Sequence, residues 1–260
     1  MKTSDKPLIL VSNDDGVNAP GLHSLIEVVK PYGDIIVVAP ENTESGMSHA
    51  ISIKHPLRLN EVKNEENVKI YSVPGTPVDC VKLALNQIVD RKPDFIVSGI
   101  NHGSNASISV IYSGTMGAAI EGCLNGIPSI GFSISSHSKN ADFTLAKKYS
   151  KIVFENVLKN GLPDGVCLNV NYPVNGYKDF KGIKICRQAR GVWKEEYEKR
   201  IDPHKQVYYW LTGNFKNYEP EANDTDEWAL KNNYATIVPI KIDFTAHDAL
   251  NKLKEWKYEV

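Results

Sequence analysis

The chain has 260 residues, 42% of them apolar and 23% charged, with a formal net charge of −1. These values are ordinary for a globular protein with a sizeable core. Near-neutral charge without a long basic block excludes a general electrostatic grip on a nucleic acid polymer, and no apolar run reaches the ~18 residues that a membrane helix needs.

Leu8-Ile9-Leu10-Val11 is a short apolar run without polar alternation, which predicts a strand buried on both faces of a parallel sheet. It gives way to Ser12-Asn13-Asp14-Asp15-Gly16. Two adjacent carboxylates at the carboxyl end of such a strand suit a ligand crevice, and a cation would relieve their repulsion. The plainer reading is an Asp-Asp-Gly surface turn.

Pro20 opens a predicted helix over about 20–30, with Leu22, Leu25, Ile26 and Val29 on one face. Ile35 to Ala39 reads as a second buried strand, completing a βαβ unit. A polar loop from Pro40 to His49 follows and carries Ser45. Residues 50–59 and 68–73 suggest a hairpin joined by a charged linker at 60–67. A helix is expected over 77–90, with Val81, Ala84, Leu85 and Ile88 as its core stripe.

Pro93 to Ser98 is the third strong strand, ending in a loop that carries Asn101, His102 and Asn105. Ser113-Gly114-Thr115 leads into a helix of small residues, Met116 to Gly122, which predicts close packing. A fourth strand over Pro128–Ile134, a helix over 141–159 and a strand over 165–170 continue the alternation. The alternation stops near 187. Residues 187–235 are rich in charge and aromatics and hold Trp193, Trp210 and Trp228. They are expected to leave the core as an arm whose aromatics mostly pack, with one free to stack on a substrate base. Thr236 to Ile240 returns as a strand, and a short helix near 246–256 ends the chain.

The loops after the first three strands meet at one sheet edge and bring Asp14, Asp15, Ser45, Asn101 and Asn105 together. All are hard oxygen donors, which favours magnesium, manganese or calcium over zinc or copper. Ser113-Gly114-Thr115 at a helix start offers backbone N–H groups and two hydroxyls to an anion. The alternative is a simple helix cap. GxGxxG after the first strand, GxxxxGK[ST] and HExxH are all missing, which argues against a nicotinamide enzyme, a P-loop ATPase and a zinc peptidase. Cys80, Cys123, Cys167 and Cys186 show no CxxC spacing and read as small core residues in a reducing compartment. A first strand starting near Leu8 leaves no room for a signal peptide, so a cytoplasmic protein is expected.

Eight motifs occur in order: Asn13-Asp14-Asp15-Gly16, Ala19-Pro20-Gly21, Val38-Ala39-Pro40, Ser45-Gly46, Gly75-Thr76-Pro77-Val78-Asp79-Cys80-Val81, Ser98-Gly99-Ile100-Asn101, Tyr112-Ser113-Gly114-Thr115 and Asp224-Thr225-Asp226. Together they resemble the SurE (survival protein E) family of 5′-nucleotidases over nearly the whole length. The alternation and its break predict a three-layer αβα core with a mainly parallel sheet over 1–186, an aromatic, β-rich arm over 187–235 used for oligomerisation, and a returning strand and helix over 236–260; the resemblance implies a Rossmann-like fold and extensions swapped between subunits. It implies a metal-dependent phosphomonoesterase for nucleoside 5′- and 3′-monophosphates, with possible action on short polyphosphate. One divalent ion per subunit, Mg²⁺ or Mn²⁺ with Ca²⁺ as a possible occupant, would sit on Asp14, Asp15, Ser45 and Asn101. Substrate phosphate would lie near Asn105, Ser113, Gly114 and Thr115, with Asp14, Asp15 and Asn105 as the catalytic candidates. The implied assembly is a homodimer or homotetramer. The chain departs from the family pattern at Ser107 and Ser109, where glycine and aspartate are common, and this bears on the 105–111 loop. His102 is read as a bystander, and His49 as an ordinary polar residue. Two rival readings are a non-catalytic nucleotide sensor and a phosphatase that forms an aspartyl-phosphate.

Overall fold

A computed structural model describes residues 6–138, 140–174, 177–194 and 196–258. Its strands are β1 (Leu8–Ser12), β2 (Asp34–Pro40), β3 (Asn60–Glu65), β4 (Val68–Val73), β5 (Phe95–His102), β6 (Ser129–Ile134), β7 (Val166–Tyr172), β8 (Ile183–Ile185), β9 (Gly191–Lys194), β10 (Tyr197–Ile201), β11 (Val207–Leu211), β12 (Asn214–Asn217) and β13 (Ala235–Lys241). Its α-helices are α1 (Pro20–Val29), α2 (Pro77–Leu83), α3 (Gly114–Leu124), α4 (Thr144–Asn160), α5 (Asp226–Lys231) and α6 (His247–Lys254).

Nine strands form one sheet in the order β3-β4-β2-β1-β5-β6-β7-β13-β8. From β4 to β7 every neighbouring pair is parallel, whereas β3 and β13 run antiparallel to β4 and β7. The apolar runs of the sequence are the central strands. Alternate residues of β1 serve opposite layers: Ile9 and Val11 join one cluster with Leu22 and Leu25 of α1 and Phe154 of α4, while Leu10 joins Cys80 and Val81 of α2 and Ala118 of α3 in the other. This makes the three-layer αβα arrangement, with the sheet apolar on both faces because helices cover both. Removing a buried leucine such as Leu25 from this packing costs about 2–5 kcal/mol.

Two elements differ from the sequence reading. The hairpin is β3–β4, so the expected linker supplies a strand and residues 50–59 form none. The backbone of that stretch is bound by side chains at the start of α2: Thr76 Oγ1 donates to Ala50 O, and Ser52 N donates to Asp79 Oδ1. Fully exposed, charged β3 then forms the outer edge, where charge discourages pairing with other chains. The expected helix over 77–90 is α-helical to Leu83 and continues as a π turn, Ala84–Ile88. All four cysteines are buried and free, as expected of core residues.

The stretch 187–235 is not uniform. Residues 191–194 and 196–217 form a hairpin-like ribbon in which β9 pairs with β12 and β10 with β11. The two halves share one register, since Tyr197 opposes Leu211 and Lys194 opposes Asn214, and Thr212 N donates to Glu196 O between them. Further on, Ala229 and Trp228 of α5 pack with Val238 of β13 and Cys186, so this part belongs to the body.

Candidate active site

The sheet order reverses between β1 and β5: β1 leads to β2 on one side, and β5 and β6 extend on the other. Ligands of open α/β sheets bind outside the carboxyl ends of the strands at such a point. A cavity of about 630 Å³ lies there, lined by Asp14, Ser45, Asn101, Asn105 and Ser113 among others. The loops after β1, β2 and β5 thus converge as the sequence predicts. Asn13 Nδ2 donates to Gly16 O at 2.9 Å and closes the turn after β1. Glu44 N donates to Asp14 O at 2.8 Å and seats the Ser45 loop on that turn. A register shift in the β5–β6 pairing between Ser98 and Asn101 lies just before the Asn101 rim position, where Nδ2 donates to Gly103 O at 2.7 Å.

Asp14 is only 4% exposed. Burial pushes its carboxyl up to about 6, the neighbouring Asp15 charge pushes the same way, and hydrogen bonds from the Thr115 hydroxyl and backbone N–H oppose them. Those donors come from the first turn of α3, whose positive end favours the carboxylate. The approach requires glycine at 114, because a Cβ there would lie 2.9 Å from Asp14 Cβ and 3.1 Å from Pro77 Cγ. Ser113 is both the expected cap and a lining residue: its Oγ accepts from Met116 N at 3.0 Å. Thr115 is fully buried with its hydroxyl on Asp14, so it, Gly114 and Asp15 stand behind the lining. His102 is more than a bystander in the loop. Its backbone N–H donates to Asp15 Oδ2 at 3.0 Å, and its ring Nδ1 lies 3.4 Å from the same oxygen. His49 pairs with buried Glu121 of α3 at 3.0 Å.

Asn105 is held from all sides. Its N–H donates to Asn171 Oδ1 at 2.8 Å, its Nδ2 donates to Ser133 Oγ at 2.8 Å, and its carbonyl accepts from Asn169 Nδ2 at 2.8 Å. Sequence reading missed Asn169 and Asn171. Their signal was two asparagines at i and i+2 in an otherwise apolar strand, which share one face. Ser107, where the family pattern favours glycine, has φ +52°. That left-handed backbone explains the glycine preference. Serine is held there by Asp226, which accepts from Ser107 N at 2.8 Å and Ala189 N at 2.9 Å, and by a bond from Ser107 Oγ to Ala189 O. Asp226 is the buried end of the last sequence motif, and its carboxyl is raised by burial.

Asn13 Oδ1, Ser12 Oγ and Ser98 Oγ are buried without a hydrogen-bond partner beside the two carboxylates. Among the described residues no group of three or more His, Cys, Asp or Glu is placed to hold a metal. A cation here would rely on Asp14 and Asp15 with neutral oxygens from Asn101 and Ser45, a set that fits a hard ion and not zinc.

Fold and cavity define a Rossmann-like αβα protein whose switch-point crevice is lined by carboxylate, amide and hydroxyl groups. The family model described as Survival protein SurE matches residues 9–195. The chain belongs to the SurE family. It is 54% identical over 252 residues to a protein of Flavobacterium psychrophilum named 5′-nucleotidase SurE, covering 96% of this chain and 98% of that one. It is 42% identical to the protein of that name from Chlorobium luteolum, covering 99% of each. The crystal structure of the SurE protein from Aquifex aeolicus superposes with a TM-score of 0.82 at 37% identity, covering 95% of this chain and 98% of that one. Among the described residues no helix is long and apolar enough to cross a membrane.

Proposed function

We propose that the chain is a nucleotide phosphatase that hydrolyses nucleoside 5′-monophosphates, and also 3′-monophosphates and short polyphosphate, with one divalent cation, Mg²⁺ or Mn²⁺. The observation that carries this reading is buried Asp14 at the switch point, facing a cavity lined by Asn101, Asn105 and Ser113, with Asp15 directly behind it. Asp14, Asp15, Asn101 and Ser45 would hold the cation. Bound there, it supplies charge stabilisation and the acidity that makes water nucleophilic near neutral pH. Asp14, buried at the end of β1 on the cavity wall, is the carboxylate placed to take a proton from water. Thr115 fixes the carboxylate that does so. Asn105, clamped by Asn169, Asn171 and Ser133, presents its amide to a phosphoryl oxygen, and Ser113 lies beside it on the cavity wall. Rigid donors aimed at developing charge are the larger part of phosphoryl-transfer catalysis.

The active species is a homodimer or homotetramer, acting in the cytoplasm. The outer half of the ribbon supports the assembly: every residue of β10 and β11 is exposed, including Ile201, Tyr209 and Trp210, which lie outside the cavity lining. Aromatic and aliphatic surface of this kind is typical of interface cores. Phosphate release from GMP and AMP tests the reading, comparing wild type with Asp14→Asn, before and after chelation and with Mg²⁺ or Mn²⁺ restored. Release that needs the metal and the carboxylate is expected. Full activity after exhaustive chelation would sink the metal mechanism.

A further inference from the structure

The cavity has two walls of different chemistry. The sheet edge forms one. The middle of the ribbon forms the other, with Trp193, Glu196, Tyr197 and Leu211. In an antiparallel ribbon, side chains an even number of residues apart share a face with those directly opposite. Leu211 opposes Tyr197, so these two share a face, and Trp193 at the end of β9 and Glu196 just before β10 line the same cavity. Phe215, opposite Trp193, meets its ring edge-on with centroids 6.0 Å apart. That contact steadies the indole from one side and leaves Trp193 37% exposed at the cavity. A phosphate fills only part of about 630 Å³, and the remainder is bounded by ring surface. Glu196 and Asp14 are the two carboxylate residues of the lining, one on each wall.

Resting on the nucleotide phosphatase reading above, we propose that the ribbon wall is a nucleobase subsite: Trp193 and Tyr197 stack the base, and Glu196 makes guanine the preferred one. Ring stacking suits any base, because each has a π face. An ionised carboxylate only accepts hydrogen bonds. The Watson–Crick edge of guanine offers it two adjacent donors, N1–H and N2–H. Adenine sets a bare N1 acceptor beside its amino group, which a carboxylate repels.

The test compares kcat/KM of the full chain on GMP, AMP and ribose 5-phosphate, which keeps the sugar and phosphate but has no base. Trp193→Ala and Tyr197→Ala are expected to lower kcat/KM on GMP about 10-fold, through KM, and to leave ribose 5-phosphate unchanged. Trp193→Phe should restore most of the loss, since it keeps a ring. Tyr197 is 67% exposed, so its removal leaves the fold intact and keeps the test valid if Trp193→Ala unfolds the ribbon. Glu196→Gln is expected to shrink the GMP preference over AMP about 10-fold. Equal losses on GMP and ribose 5-phosphate, or no loss on either, overturn the subsite. A GMP preference untouched by Glu196→Gln overturns the guanine assignment. Failure of the wild type to release phosphate from all three compounds would overturn the phosphatase reading instead, so the two failures are distinct.

Discussion

The sheet edge and the ribbon hold the same cavity by opposite means. At the edge, Asp14, Asn101, Asn105 and Ser113 are all buried, and the side chains of Asn105 and Ser113 are already engaged with Ser133 and the Met116 amide. On the ribbon, Trp193, Tyr197 and Leu211 give the lining aromatic and apolar surface, and all three are exposed. Groups that act on developing charge are useful only when fixed in advance. Groups that grip a base by its face tolerate looser placement. Changes at the edge should therefore act on the chemical step, and changes on the ribbon on binding and assembly.

The largest effect is expected at the edge. Asp14→Asn and Asp15→Asn should each reduce phosphate release on the order of 100-fold or more, with the loss in kcat. A variant that loses only substrate affinity would break the contrast. Next comes Gly114→Ala, which forces a methyl group against Asp14 Cβ and Pro77 Cγ. It should destabilise the fold by about 1–3 kcal/mol in denaturant titration and lower kcat. Thr115→Val removes the donor to Asp14 and should lower kcat by about 1–3 kcal/mol of transition-state stabilisation. Unchanged kinetics with lower thermal stability would make Thr115 a purely structural residue.

The raised carboxyl of Asp14 gives a pH test of the same idea. A folded-state value of about 6 against 3.8 means that ionising this group costs stability. The cost is absent below pH 3.8 and complete once pH has passed about 6. In chelator, Asp14→Asn should therefore be more stable than wild type at pH 7.5, by about 1–3 kcal/mol, with the gain fading near pH 4. A gain that persists at pH 4 would show another cause. The smallest effect on the fold is expected from Tyr208→Ser with Trp210→Ser, outside the cavity lining: monomer stability within about 0.5 kcal/mol of wild type. Light scattering should nonetheless show a fall from a multiple of 28.9 kDa toward the single-chain mass. A wild-type chain that already runs as a monomer would remove the assembly role.

Much of the core was legible in the sequence because local pattern and burial coincide there. Leu8–Val11 reads as a two-sided strand because helices cover both faces of β1. Asp14 and Asp15 were legible because adjacency places them at one strand end. What supports them was not. Ser107 and Asp226 are 119 residues apart, and Asn105 and Asn171 are 66 apart. Those partners are chosen by the strand order, which no local spacing encodes. The 50–59 stretch misled for a related reason: its alternation promised a strand, but Thr76 and Asp79 claimed its backbone groups.

The ribbon's base has a consequence for how such a chain can change over generations. Gly191 opposes Asn217, so the two ends of the excursion lie side by side. Ile185 and Ile237, further out along the chain, are likewise neighbours across β8 and β13. Residues can be added or removed in opposed pairs at the tip without moving either anchor. The base itself is not free to drift, because Ala189 and Ser107 share the Asp226 carboxylate. Inheritance can thus alter the outer ribbon, and with it reach and partner choice, as a separable trait, while the crevice chemistry stays under its own selection.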